Sequence, residues 1–205
     1  MSNVVEKATA YVRKHLSHET TGHDFHHAIR VYNMAVYLSI GKDVDDDVIA
    51  LASLLHDLDD PKIAQKGSSL AMDFLSANVD ENIRKQVMNI ISNMSFSSYK
   101  KGKLLDTLEG KIVQDADRLD ALGAVGIARC FAYSGKTGRM IYDYSIEDDS
   151  AIAHFYQKLF TLDSLMNTVE ARSIAEKRIE FMKDYLREFF KEWQWWLIKN
   201  IVLKN

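Results

Sequence analysis

The chain has 205 residues, 47% of them hydrophobic and 27% charged, a length that buries one continuous core and is short for two full domains. Its 26 basic and 29 acidic residues leave a formal charge of -3, so nothing global favours a nucleic-acid polymer or an anionic membrane as partner, although a local positive pocket stays open. With one proline, Pro61, and so large an apolar fraction, an extended disordered chain is excluded and most of the sequence is free to run as helix.

Val5, Ala8, Val12 and Leu16 recur at helical spacing and predict a first amphipathic helix. Beyond the polar turn SHETTG, Phe25 to Ile40 carries a second apolar stripe of Ala28, Val31, Ala35 and Leu38, with Gly41 as terminator. The acidic run DVDDD is placed to cap a third helix through Val48, Leu51, Ala52, Leu54 and Leu55, expected to end around Asp59 and Pro61. SSLAMDFLS and DENIRKQVMNIISNM predict two more helices, and SFSSYKKGK reads as a surface loop. The stretch from LLDTLEG to CFAYS reads as two helical pieces, with a polar cluster at Asp115 to Asp120 interrupting the apolar run. A loop over residues 134–150 then leads to a helix through AIAHFYQKLFTLDSLM and a long final helix from about Val169 to Trp193. The expected fold class is all-α, with no internal repeat or linker.

Two further features bear on location. The lone Cys130, set in AVGIARCFAY, reads as a buried small hydrophobe and fits a reducing cytoplasm. The amino terminus lacks a signal-peptide core, and no stretch approaches the roughly 20 apolar residues of a membrane span. A cytoplasmic protein is expected. In the aromatic ending, Phe189, Phe190, Trp193 and Trp196 are expected to cover the core or a partner, a homodimer included, with no membrane partner.

Seven histidines are present, three of them in GHDFHHAIR and one in LASLLHDLDDPK. His23 and His27 are i,i+4 and share a helical face if that helix starts early. His56 and Asp57 set a nitrogen and an oxygen donor side by side after an apolar run, and Asp117 in QDADRLDA lies where an unpaired buried carboxylate would cost several kcal/mol. Together His27, His56, Asp57 and Asp117 would supply two imidazoles and two carboxylates to one divalent cation, leaving positions for water and a substrate oxygen. Taken singly, each has an ordinary structural role: His27 capping a helix, His56 as a satisfied core histidine, and Asp57 or Asp117 paired with Arg30 or Arg118.

The ordered set resembles the HD-domain metal-dependent phosphohydrolase superfamily, with its histidine in HHAIRV, its histidine–aspartate pair in LLHDLDD and its last aspartate in DADRL. The fuller segments GHDFHHAIRVYNMA and EGKIVQDADRLDALGAVGIARCFAY are similar to the small bacterial YpgQ/YedJ-like group. The resemblance implies a single helical domain over 1–205, its HD metal-site core at about 20–125 and a carboxy-terminal helical extension at about 147–199. It also implies nucleoside or deoxynucleoside triphosphate pyrophosphohydrolase chemistry.

The same donor set suits Mn, Fe, Co, Ni or Zn better than Mg, with Mn the first choice partly on the resemblance. The gap without histidine between His56 and His154 favours one metal over the binuclear branches. Asp57 is expected in catalysis as well as ligation. Lys62 and Arg118 are candidate cations for a phosphate, and His23, His26 and His154 are candidates to orient substrate. No GxxxxGK[ST], GxGxxG or HExxH pattern offers another route. The expected partner is a nucleotide or another small phosphorylated molecule. Nucleotide phosphomonoester hydrolysis and a metal-stabilised helical interaction protein are the competing readings.

Overall fold

Ala28, Val31 and Ala35 on the second helix are completely buried, and two of the three are alanines, so neighbouring backbones can approach closely along this stripe. That helix, α2 (Phe25–Ser39), packs on α3 (Asp46–Leu55) and α7 (Leu108–Asp120), and these three elements form the centre of the molecule. The structure is a computed structural model that describes residues 2–19, 22–59, 69–143 and 149–202, with 195–202 as backbone only.

Around the central trio stand α1 (Asn3–Leu16), α4 (Leu70–Asn78), α5 (Glu81–Asn93) and α6 (Phe96–Lys100). Beyond α7 follow α8 (Gly123–Lys136), α9 (Ala151–Gln157), two single 3-10 turns and α10 (Val169–Val202). Among the described residues the only extended pairing is an isolated bridge between Met140 and Ser150, so the fold is all-α.

Helix α3 is buried on every side from Val48 to Leu55, as a helix that is apolar all round must be. Its start is fixed by Asp45, whose carboxylate accepts from the amides of Asp47 and Val48, as the acidic run predicts. Its end comes earlier than expected: the helix stops at Leu55, because the His56 ring bonds back to the Ser53 carbonyl and the chain turns there.

Two other expectations are corrected. The segment read as a surface loop contains α6, capped by the Ser95 hydroxyl on Ser98 N. The stretch 151–166 is not one helix: it leaves α geometry at Lys158 and continues as 3-10 turns at Leu159–Thr161 and Asp163–Leu165. The two helical pieces expected from LLDTLEG to CFAYS are present. Helix α7 runs through the polar cluster to Asp120, and the break falls at Ala121–Leu122. Gly123 takes a φ of +75° at this corner, and a Cβ on Gly126 would meet the Ala121 carbonyl oxygen at 2.2 Å.

The final helix packs on α7 and α8 through Ala171, Ala175, Ile179, Met182 and Leu186. Its aromatic end is partly covered: Phe190 and Trp193 meet the edge of Tyr142, and Phe189 stacks on Trp193. The side chain of Trp196 lies outside the described residues. No helix among those residues is long and apolar enough to cross a membrane.

Candidate metal centre

Each of the three central helices delivers a donor to one point. Asp24 caps α2 by accepting from His27 N, which sets His27 in the first turn with its ring completely buried. His56 and Asp57 leave the end of α3, where free carbonyls and the helix dipole favour positive charge. Asp117 projects from the penultimate turn of α7 and keeps a third of its side chain exposed.

The hydrogen-bond roles of the two rings follow from their partners. His56 Nδ1 lies 2.8 Å from the Ser53 carbonyl, which can only accept, so Nδ1 carries the proton. His27 Nδ1 lies 2.7 Å from Asp120 Oδ2 and donates to it. In the neutral rings both Nε2 atoms are therefore bare, yet they face each other at 3.2 Å. Asp57 Oδ2 lies 3.2 Å from His27 Nε2, and Asp57 Oδ1 lies 3.4 Å from His56 Nε2. Asp117 Oδ1 is 3.5 and 3.8 Å from the same two nitrogens. Donors held at about 2.1 Å from one cation lie roughly 3.0–3.4 Å apart, so these separations suit a shared ion.

The local field points the same way. Burial acts against a charged His27, but hydrogen bonds to Asp120 and Asp57 raise its pKa to about 9, so without a metal a proton supplies the positive charge. Burial would raise the Asp57 pKa, but His56, His23 and His27 hold it well below the usual carboxylate range. An acid held so firmly ionised suits cation binding better than proton uptake. Among the described residues no lysine or arginine pairs with Asp57 or Asp117. The alternative in which these aspartates pair with Arg30 or Arg118 does not form among the described residues; Arg30 goes to Asp120 instead.

His23 precedes the helix and sits outside it, yet its Nδ1 reaches Asp57 Oδ2 at 2.8 Å, so it joins the cluster by a different route from the expected shared face. His26 is exposed, its ring edge against Phe25, and stands apart from the cluster. His154 lies on α9, which packs on α8 and the following turn. Arg118 is buried, with Nη1 donating to the Leu165 carbonyl and its guanidinium over the Tyr99 ring, while Nη2 has no partner among the described residues. Asp120, two residues on from Arg118, serves other groups. Lys62, with Asp60 and Pro61, lies outside the described residues.

Sequence reasoning missed Asp120 as a functional residue. Its carboxylate accepts from His27, from Arg30 Nε at 2.8 Å and Nη2 at 3.0 Å, and from Arg129 Nη1 at 2.9 Å. Burial would raise its pKa, but His27 and Arg30 drive it far below the normal range. A carboxylate behind a ligand histidine fixes the ring and its tautomer. The available signal was its place three residues after Asp117, one turn along the same helix.

A family model described as HD domain matches residues 24–122. The YpgQ protein of Bacillus subtilis (strain 168) is 39% identical over 194 residues, covering 91% of this chain and 92% of YpgQ. The chain belongs to the HD-domain superfamily. Within it the relatives are YpgQ-like. A structure of B. subtilis YpgQ in complex with ADP aligns with TM-score 0.76 at 38% identity, over 92% of this chain and 97% of that one. An HD-superfamily hydrolase from Bacillus thuringiensis aligns with TM-score 0.73 at 42% identity, over 93% and 96%. A structure from Lactobacillus plantarum reaches TM-score 0.84 at 35% identity, over 95% and 98%. The protein is thus an HD hydrolase, a metal-dependent phosphohydrolase with a His/Asp cluster able to hold a divalent cation.

Proposed function

We propose that this HD protein hydrolyses nucleoside or deoxynucleoside triphosphates to the monophosphate and pyrophosphate. In this reading His27, His56, Asp57 and Asp117 hold one divalent cation, Mn first. The observation that carries it is the approach of two Nε2 atoms to 3.2 Å, flanked by two carboxylates that pair with no lysine or arginine among the described residues. The ADP held by YpgQ supports a nucleotide as substrate.

When bound, the cation supplies Lewis acidity, lowering the pKa of a water and polarising a phosphoryl oxygen. The chain's own residues do the rest. Asp57 keeps His23 oriented through Nδ1, which leaves His23 Nε2 as a basic nitrogen on a partly exposed ring, placed to take the proton of the attacking water. Asp120 holds His27 in place. Arg118 and Lys62 are the cations assigned to phosphate charge.

The test is to strip the protein with chelator, restore Mn, Mg, Co, Ni or Zn singly, and identify the products from a panel of triphosphates and monophosphates. Metal-dependent release of pyrophosphate is expected. Orthophosphate released from monophosphates would overturn the substrate assignment. Stoichiometric metal binding without hydrolysis of any substrate would overturn the enzymatic reading.

A further inference from the structure

Behind the His27–Asp120 pair, on the side away from the donor cluster, lies a cavity of about 620 Å³ between α2, the start of α8 and α10. A volume of this size accommodates a small organic ligand. Two features of its lining are chemically distinct.

The first is positive charge. Arg30, Lys177 and Arg178 all line the cavity. Its single carboxylate, Asp120, is already matched by Arg30 and Arg129. Arg30 spends Nε and Nη2 on that carboxylate and Arg178 spends Nη1 on the Leu119 carbonyl, so each keeps a further nitrogen. Lys177 makes no ion pair among the described residues. Added to these, α8 opens at the same wall with no side-chain cap, so Gly123, Ala124 and Val125 present the positive end of a helix of 14 residues.

The second feature is exposed apolar surface. Tyr37, Val125 and Phe181 line the cavity while remaining 59%, 42% and 50% exposed. Two are aromatic and stand on different helices, α2 and α10. An anion-binding floor between aromatic walls calls for a molecule with an anionic end and a flat apolar end.

We propose that this groove is a second ligand site, separate from the metal centre, for a small phosphorylated molecule carrying an aromatic ring. The phosphate sits on the first turn of α8 beside Lys177 and Arg178, and the ring lies against Tyr37 and Phe181.

The test uses the full chain freed of divalent metal, with ADP as probe and inorganic phosphate and adenosine as separate arms, read by amide NMR shifts at Gly123, Ala124 and Val125. ADP is expected to move these amides saturably, with phosphate alone at least ten times weaker and adenosine leaving them in place. Ala124→Glu and Lys177→Glu, both at exposed positions, should each weaken ADP at least tenfold, while Asp57→Ala in the metal centre should leave the affinity within twofold. Unmoved amides, or full affinity in both charge variants, would overturn the proposal. So would a concentration-dependent dimer, seen by sedimentation, that Phe181→Glu dissolves and ADP does not compete with, because the groove would then be a contact between two copies.

Discussion

The two edges of the His27 ring show how the same kind of side chain is used in opposite ways. On the Nδ1 side, Asp120 is surrounded by His27, Arg30 and Arg129, so the protein supplies every charge its carboxylate needs. On the Nε2 side, Asp57 and Asp117 form ion pairs only with histidines among the described residues, which leaves negative charge for a cation from outside. A buried carboxylate held by arginines is a brace; one set among imidazole nitrogens is free to take a cation, the role proposed for Asp57 and Asp117.

Breaking the open side should have the largest effect. His56→Ala or Asp57→Ala is expected to lower hydrolysis by about a thousandfold or more, with bound metal per chain, measured by atomic emission, falling from one toward zero. Breaking the closed side comes next. Asp120→Asn should weaken metal binding by about 10–100-fold in a chelator competition. It should also cost about 3 kcal/mol in urea unfolding without metal, because Arg30 and Arg129 lose their shared partner. Unchanged metal affinity in this variant would show the two sides to be independent.

Metal removal sharpens the contrast. A cation at a hundred times its Kd adds about 2.7 kcal/mol. For a chain of this size that raises Tm by about 5–10 °C, and the increment should vanish in Asp57→Ala. The smallest effect concerns Cys130, which packs beside the Ala151 carbonyl. Burial raises its thiol pKa to about 11 from an ordinary 9.0. The neutral thiol therefore adds stability that is fully present below pH 9 and is lost as pH rises toward 11. At pH 8, alkylation of the folded protein should run about a hundredfold or more slower than in urea.

Much of this was legible in the sequence, because helices with an apolar stripe and short carboxylate caps declare themselves locally. The ordered His27, His56, Asp57 and Asp117 set was legible for the same reason, since each lies beside a packable run. Asp120 was not, because its meaning depends on His27 and Arg30, 93 and 90 positions away. The stretch 151–166 misled because Leu159, Leu162 and Leu165 recur every three residues, a spacing that 3-10 turns and one face of an α-helix both accept. The early end of α3 was hidden in a side chain: the His56 ring takes the Ser53 carbonyl, and no apolar pattern records that.

The last two turns of α7 act as a ruler. Asp115 takes the amides of Asn167 and Thr168 where α10 begins, Gln114 reaches the Met94 carbonyl, Asp117 faces the donor cluster and Asp120 braces His27. Each graduation is readable by a different neighbour only at one rotation of the helix. Inserting a single residue upstream would turn all of them by about 100° at once. In this segment spacing is therefore held more tightly than composition: several substitutions would each spoil one contact, while one added residue would misalign them all.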